Sequence, residues 1–453
     1  MLTKELVGIE NQVSQSKITK SEEKGASKGA PVYGAFKDGL VFDDGTGNWA
    51  LQINGRIQTD FHNIDPGEWK NDTFSIRRAR LGGTFTFLKD FAVRVEGEYA
   101  NSNDGAKGTT GLTYGYLEYN HFPGARLRVG QFKPIFGLER GESTNFTDFM
   151  ELSLATATGA SFNSTYDRGL MLFGAPIKGT YYNLSYINGS GQNNDDTDNS
   201  KDYIGRIATN IADWAQWKDT VVHIGLNGSK GSVQKSTAPN TTGLSNYTES
   251  NGITSNTAAY TGTTATQFFS TSAFTSSSSV DKSRLGLETA LAHGPLKFQG
   301  EYINTNFDGQ TTGGKAFDKD INAWYTSLTW LVTGESYADT YKNGMFNRLY
   351  PKHNFALDKE GWGAVELGLR YSSFDASDFK LAGPGCTAGT GCLTSNAFTN
   401  KADAWTAGAK WILTPNARLM LNYVHTSFDN PITINAKTSD YEDAIDMRAQ
   451  YDF

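Results

Sequence analysis

The chain has 453 residues and a formal net charge of −7, from 41 Lys+Arg against 48 Asp+Glu. Hydrophobic residues make up 38% and the mean hydropathy is −0.47, which is too polar for a large compact core. With 27 Phe, 21 Tyr and 49 Gly the chain is also too aromatic to be disordered. No apolar run approaches the roughly 18 residues of a membrane helix, so the composition favours an all-β protein of short segments.

The first 47 residues differ from the rest of the chain. Four apolar residues follow a 4-3-4 spacing, which predicts about two turns of a coiled-coil seam: Leu2, Leu6, Ile9 and Val13. A flexible N-terminus is the alternative. Residues 20–30 (KSEEKGASKGA) read as a solvated linker, and residues 1–30 lack the apolar stretch of a signal peptide. We therefore expect a periplasmic stub and linker over residues 1–47, with a short helical or coiled segment.

From Trp49 onward the chain repeatedly alternates apolar and polar residues. In residues 51–61 (LQINGRIQTDF) Ile53 and Ile57 share one face, whereas Arg56 shares the other with Gln and Asn side chains. This period of two predicts strands with two distinct faces. Sixteen such segments are present: 48–63, 73–88, 91–101, 113–122, 125–136, 167–177, 179–188, 202–213, 219–232, 281–293, 296–307, 321–333, 361–375, 402–413, 417–429 and 444–453.

The connections between these segments alternate in length. Short turns such as 88–90 (LKD) and 414–416 (TPN) alternate with longer links, of which the longest is 233–280. An even number of antiparallel strands with short turns at one end and long loops at the other is typical of a bacterial outer-membrane barrel. We therefore predict a 16-stranded antiparallel transmembrane β-barrel over residues 48–453. The link 334–360 is long although it should lie on the short-turn, periplasmic side, and such a segment could fold into the lumen.

The strand register predicts a lumen wall that is richer in cations than in acids. The inward-facing basic residues would be Arg56, Arg78, Arg80, Arg94, Arg126, Arg128, Lys297, Arg370, Lys410, Arg418 and Arg448. The inward-facing acids would be Glu96, Glu98, Glu118, Glu301, Glu366 and Asp446. Guanidinium groups in a confined aqueous pore attract anions and offer planar donors to oxyanions. Mutual pairing of these arginines and acids, which would only stiffen the wall, is the alternative.

The cluster Arg77, Arg78 and Arg80 holds no acid within its own segment, so pairing explains it less well. Arg77 is out of phase with the inward set, and we expect it either at the rim or at a β-bulge that turns it inward. The long link 130–169 is a candidate constriction loop. Its charged residues would help to line the narrowest part: Lys133, Arg140, Asp148, Glu151 and Arg168.

The two cysteines, Cys386 and Cys392, lie in a glycine-rich stretch, GPGCTAGTGC. A small disulfide-closed loop is sterically easy there and would indicate an oxidising compartment. A metal or redox pair is the alternative, but no His or further Cys lies nearby.

Six stretches of the sequence are informative when they are taken together and in their order along the chain. They are FSIRRARLGG (74–83), VGQFKPIFGLE (129–139), DRG (167–169), TGESY (333–337), GAVELGLRYS (363–372) and a last strand ending in Phe453. In these stretches the chain resembles the phosphate-selective porins of the O and P type. The resemblance spans residues 49–453 and implies a trimeric sixteen-stranded barrel. It also implies that the third external loop and a long periplasmic turn fold into the pore.

The same resemblance implies that an arginine-lined path carries anions, with Arg77 and Arg78 at the constriction and Arg56 as their neighbour. One feature departs from the family. Its phosphate-specific members carry lysine-rich loops at the entrance, whereas Lys235 is the only lysine in residues 233–280. The resemblance therefore supports anion preference more directly than tight phosphate binding.

We accordingly expect a passive channel of the bacterial outer membrane that prefers anions, including phosphate or polyphosphate. The candidate pore residues are Arg56, Arg77, Arg78, Arg80, Arg94, Arg128, Lys133 and Arg168. A general diffusion porin, or a barrel that tethers envelope layers through its N-terminal stub, is the alternative. The expected partners are outer-membrane lipid and lipopolysaccharide, small anions and two further copies of the chain in a homotrimer. We expect no cofactor, no metal, no nucleic acid and no enzymatic activity, because no Ser/His/Asp arrangement is visible.

Overall fold

The computed structural model describes most of the chain from residue 32 onward. The described residues are 16–18, 32–36, 38–70, 72–100, 110–157, 165–196, 199–233, 254–258, 265–271, 280–310, 314–358, 361–384, 386 and 391–453. The predicted coiled-coil positions 2, 6, 9 and 13 lie outside this set, so the helical stub stays a prediction.

Sixteen of the described strands form the barrel. They are β4 (Trp49–Asp65), β5 (Thr73–Phe87), β6 (Phe91–Glu98), β7 (Gly111–Tyr119), β8 (Arg126–Phe132), β9 (Asp167–Ile177), β10 (Thr180–Ile187), β11 (Asp202–Asn210), β12 (Thr220–Ser232), β15 (Asp281–His293), β16 (Leu296–Gln310), β17 (Ala316–Leu331), β20 (Ala364–Asp375), β21 (Lys401–Thr414), β22 (Ala417–Ile434) and β23 (Lys437–Asp452).

The remaining elements are short. They are β1 (Ser16–Ile18), β2 (Val32–Phe36), β3 (Leu40–Asp43), the helix α1 (Ile211–Ala215), β13 (Thr254–Asn256), β14 (Gln267–Ser270), a 3₁₀ turn (Ala338–Thr340), β18 (Tyr341–Lys342) and β19 (Met345–Phe346). Among the described residues no helix is long and apolar enough to cross a membrane.

The last strand closes the barrel against the first. β23 pairs antiparallel with β4, with Met447 opposite Phe61 and Asp452 opposite Arg56. Every barrel strand is therefore paired on both sides, as lipid requires of a membrane-spanning sheet. The closed 16-stranded antiparallel barrel that the sequence predicts is confirmed, with most boundaries displaced by only a few residues.

The N-terminal hairpin β2–β3 continues the sheet below this seam. β3 pairs with β4 at Leu40 opposite Ile53, on the same edge of β4 that β23 occupies further along. The predicted linker therefore contains a strand pair that contacts the barrel.

The two faces of the wall are inverted relative to a soluble protein. In β15 the side chains of Leu285, Leu287 and Leu291 are about half exposed on the outer surface, whereas Glu288, between them, is 3% exposed and faces inward. Apolar side chains on the outside and charged ones inside follow from lipid outside and a polar lumen inside.

Much of the lumen is filled by two inward-folded segments. Residues 133–166 form the inner loop, described at 133–157 and 165–166. Residues 332–363 form the periplasmic loop, described at 332–358 and 361–363, which packs Tyr337, Tyr341 and Phe346 against the inward-facing Val221 and other wall residues. The short-turn side therefore does send its long link into the barrel, as the sequence suggested.

Candidate functional site: the arginine cavity beside the inner loop

A β-bulge in β5 determines where Arg77 points. Gln58 lies opposite Arg78 and the next residue, Thr59, lies opposite Ile76, so Arg77 is the extra, unpaired residue of the strand. The extra residue shifts the alternation, so that Arg77 joins Arg78 and Arg80 on the inner face while Phe74 and Ile76 lie on the outer face. Arg77 is 1% exposed and points inward, while Ile76 stays on the outer surface. Of the two positions expected for Arg77, the structure has the bulge.

The root of the inner loop is fixed to the opposite wall. The carboxylate of Glu301 in β16 accepts hydrogen bonds from the backbone N–H groups of Leu138 (2.8 Å) and Glu139 (2.6 Å). It also accepts one from the hydroxyl of Tyr325 in β17 at 2.8 Å. Arg370 of β20 then donates to the side chain of Glu139 at 2.8 Å. The loop is therefore held against β16–β20, and the space beside it lies against β4–β7.

That space is a cavity of about 60 Å³ with a strongly basic lining. Among the described residues its wall contains six basic side chains and one acidic side chain, Glu151. The basic residues are Arg56, Arg77, Arg78, Arg80, Lys133 and Arg140. These basic residues come from three separate parts of the sequence, namely β4, β5 and the inner loop.

Glu151 joins the inner loop to two wall arginines. Its carboxylate accepts hydrogen bonds from Arg77 Nε (3.0 Å) and from Arg448 Nη2 (2.8 Å), and Arg448 also binds Asp60 in a bidentate pair. Although burial opposes ionisation, Arg77 and Arg448 hold the pKa of Glu151 well below its usual range. Glu151 is therefore a fixed negative charge that offsets only part of the arginine charge.

Other arginines of the cavity donate to neutral groups. Arg78 Nη1 donates to the amide oxygen of Gln58 at 2.9 Å. Arg56 Nη1 donates to Thr144 Oγ1 at 2.7 Å and to Asn145 Oδ1 at 2.6 Å, and no described carboxylate lies within 4 Å of it. These contacts orient the guanidinium planes through uncharged acceptors. Arg80, by contrast, pairs with Glu98 at 2.5 Å.

Lys133, at the start of the inner loop, is a buried cation among other cations. Its Nζ donates to the backbone carbonyl of Glu142 at 2.7 Å. Burial, reinforced by Arg140, Arg56 and Arg80, lowers the pKa of Lys133 to about 7. Its charge can therefore change near neutral pH.

Arg94 and Arg128 face the lumen closer to the periplasmic end and do not line the cavity. Arg94 pairs with Glu96 at 2.7 Å and stacks on Tyr114, and Arg128 pairs with Glu118 at 2.7 Å and stacks on a neighbouring tyrosine. The sequence left open the alternative that arginines and acids pair with each other and only stiffen the wall. The contacts of Arg94 and Arg128 match this alternative.

Arg168 was predicted to line the narrowest part, but the structure does not bring it into the arginine cavity. Its side chain pairs with Asp195 of an external loop at 2.8 Å and is 39% exposed. The reason is the register of β9: Arg168 shares the outward face with Leu170, whereas Asp167 and Met171 face inward. Strict alternation would have assigned it correctly.

Sequence reasoning did not single out the polar groups that orient the arginines. Gln58, Asp60, Thr144 and Asn145 were not among the candidate residues. The sequence contains one indication for Gln58 and Asp60, which is that they share a strand face with Arg56. It contains none for Thr144 and Asn145 of the inner loop. In the link between β20 and β21, Cys386 and Cys392 form a disulfide with an S–S distance of 2.09 Å.

Comparison with known proteins places this geometry in a family. Residues 51–453 match the family model described as phosphate-selective porin O and P. The chain belongs to that family. It is 25% identical over 436 residues to Porin O of Pseudomonas aeruginosa, covering 94% of this chain and 93% of that protein.

Solved porin structures share the fold. The anion-selective porin from Comamonas acidovorans superposes with a TM-score of 0.53 at 11% identity, covering 89% of this chain and all of that one. A loop-deletion mutant of OmpT from Vibrio cholerae superposes with a TM-score of 0.50 at 12% identity, covering 90% and 100%. At such identities the likeness concerns the fold. The family match identifies this porin O and P member as a channel of the outer membrane.

Proposed function

We propose that this porin is a passive channel that prefers anions and binds phosphate-type oxyanions in the arginine cavity. The observation that carries the proposal is the lining beside the inner loop, which among the described residues has six basic side chains and one acidic one. Guanidinium groups held by neutral oxygens keep their charge, and their forked donors match the oxygens of phosphate. Family membership agrees with this chemistry.

A phosphate titration of the chloride current tests the binding of oxyanions. Added phosphate should reduce the current through the wild-type channel in a saturable way, because a bound oxyanion occupies the site that chloride must pass. Nitrate at the same concentration is the control, because it is an oxyanion that carries only a single negative charge and has no hydroxyl group. A current that responds equally to both anions would refute phosphate binding while leaving anion preference standing.

A weakly selective diffusion porin is the second candidate. The pairs Arg94–Glu96 and Arg128–Glu118 favour it, because they neutralise the wall toward the periplasm. The two candidates differ in the sign and size of the reversal potential in a KCl gradient. Anion preference predicts a clear shift toward the chloride equilibrium potential, and weak selectivity predicts almost none.

We also propose that three copies assemble into a homotrimer in outer-membrane lipid and lipopolysaccharide. Family membership supports the trimer, and the band of exposed leucines supports lipid contact. Gel electrophoresis of unheated and heated samples tests the assembly. A band at three times the chain mass that collapses on heating is expected, and a monomer under gentle extraction would contradict it.

A further inference from the structure

Arg348 joins three separate parts of the molecule at the periplasmic end. It lies in the periplasmic loop, just after β19, with an 11% exposed side chain. Its Nε lies 3.0 Å from Oδ1 of Asp38 in the N-terminal hairpin, and its Nη2 lies 2.5 Å from Oδ2 of Asp452 at the end of β23. Its Nη1 donates to the carbonyl of Pro415 between β21 and β22.

The same guanidinium contacts the tip of the inner loop. Arg348 Cζ lies 4.9 Å from the ring centroid of Phe146, and Cζ of Arg418 lies 5.3 Å from that centroid. Arg418 is also hydrogen-bonded to Asp452 at 3.1 Å. One aromatic ring of the loop tip is thus held by two guanidiniums that share one carboxylate.

The residues next to Phe146 hold an arginine of the cavity. Thr144 and Asn145 accept the hydrogen bonds of Arg56, and the backbone carbonyl of Asn145 accepts one from Arg418 at 2.7 Å. A continuous set of contacts therefore runs from Asp38 through Arg348 and Phe146 to Arg56. Displacement of the tip would remove both described acceptors of the Arg56 guanidinium.

We infer that Arg348 is a positioning residue of the channel, which fixes the tip of the inner loop and thereby the orientation of Arg56. Arg348 itself lies outside the cavity and acts through Phe146. The effect on loop position is independent of what the channel carries, and only its effect on oxyanion binding rests on the proposed function. The contact with Asp38 further links the N-terminal hairpin to the constriction.

A purely structural role is the competing explanation, since a buried ion pair at the barrel seam also contributes to stability. The two roles differ in what the loss of Arg348 changes. A structural role predicts lower stability with an unchanged pore. A positioning role predicts a more mobile loop tip and an altered pore in channels that remain folded.

The test uses a spin label on the loop tip in the full-length channel. Ser143 is exposed and lies three residues before Phe146, and both native cysteines are in the disulfide, so Ser143→Cys gives one labelling site. Arg348→Gln is introduced into this background for the label measurement, and into the otherwise native chain for the current recordings, because Ser143 lines the cavity. Lys352→Gln is the matched control, because Lys352 is a cation of the same loop that donates to the carbonyl of Gly334 instead. Phe146→Leu removes the ring that Arg348 contacts.

The inference predicts a more mobile label, and a noisier single-channel chloride current, in Arg348→Gln than in Lys352→Gln. Phe146→Leu should reproduce the effect. The double variant should add little, because each substitution alone already removes the contact between Arg348 and Phe146. If phosphate binds, its half-blocking concentration should rise roughly three- to tenfold in Arg348→Gln, the range of a lost hydrogen-bonded contact.

An unchanged label and current in folded Arg348→Gln channels would overturn the inference. If Arg348→Gln does not fold, the label in Phe146→Leu decides, and unchanged mobility there would overturn the inference as well. Absence of a phosphate effect in the wild type would contradict the proposed function, but the label and the chloride current would still decide the role of Arg348.

Discussion

Glu151 of the inner loop accepts a 3.0 Å hydrogen bond from Nε of Arg77, the residue that the bulge in β5 turns into the lumen. Without the bulge the guanidinium would point into lipid, and the loop carboxylate would lose one of its two wall arginines. The extra residue therefore both places a cation in the cavity and attaches the loop beside it.

Replacement of Arg78 by alanine should weaken phosphate block. Its guanidinium lines the cavity and is oriented by Gln58, so its loss removes a charge-assisted donor. The half-blocking phosphate concentration should rise by about tenfold or more. Arg168→Ala is the matched control, because it removes an arginine that faces away from the cavity, and its block should equal that of the wild type. Equal effects of the two variants would show that only total charge matters.

Anion preference should fall as pH rises through neutrality. Because the pKa of Lys133 is lowered to about 7, the amine is charged below that pH and neutral above it. The cavity thus loses one positive charge on going to alkaline pH. Reversal potentials in KCl gradients measure this, since chloride itself does not titrate. Lys133→Met should show the alkaline value at every pH, and a variant that keeps the full pH dependence would assign it to another group.

Replacement of Glu151 by glutamine should destabilise the barrel and increase anion preference. The change leaves two buried guanidiniums without their shared carboxylate, at a cost of about 1–3 kcal/mol in the free energy of unfolding. Because the pKa of Glu151 is lower in the folded state, its contribution is present above the usual pKa and is lost as pH falls below it. Urea unfolding in detergent should show less acid sensitivity in the variant than in the wild type.

The control for this prediction is Glu68→Gln, which breaks an exposed pair with Lys437 and should leave unfolding unchanged. A Glu151→Gln channel with unchanged stability and reduced anion preference would contradict the account of this carboxylate.

Replacement of Glu301 by glutamine should loosen the root of the inner loop. Glutamine presents one oxygen and one N–H₂ group to the two backbone N–H groups that the carboxylate binds, so one donor loses its acceptor. Single-channel recordings should show more open-channel noise. Tyr325→Phe removes only one hydrogen bond to the same carboxylate and should have a smaller effect of the same kind. A larger effect of Tyr325→Phe would mean that the ring, and not the carboxylate, fixes the loop.

The strands could be predicted because lipid on the outside and a polar lumen on the inside impose an alternation of apolar and polar residues. Leu287 faces lipid and Glu288 the lumen, and this alternation can be read directly from the sequence wherever no bulge interrupts the strand. The same rule places Arg78 and Arg80 inward and would have placed Arg168 outward, had its position beside the inner loop not suggested otherwise.

Much of the cavity could not be predicted, because its contacts join residues far apart in sequence. A bulge such as the one at Arg77 breaks the alternation at one residue, and either reading of the pattern remains possible until the register is known. The contact of Arg348 with Phe146 crosses some two hundred residues and follows no period. Loop positions depend on such contacts, whereas strand positions depend on the alternation.

The reversal potential of the purified wild-type channel in a KCl gradient at acidic to neutral pH tests the central claim most directly. With six basic residues and one acidic residue in the cavity lining, the account predicts a potential shifted toward the chloride equilibrium value. A potential shifted toward the potassium equilibrium value would contradict it.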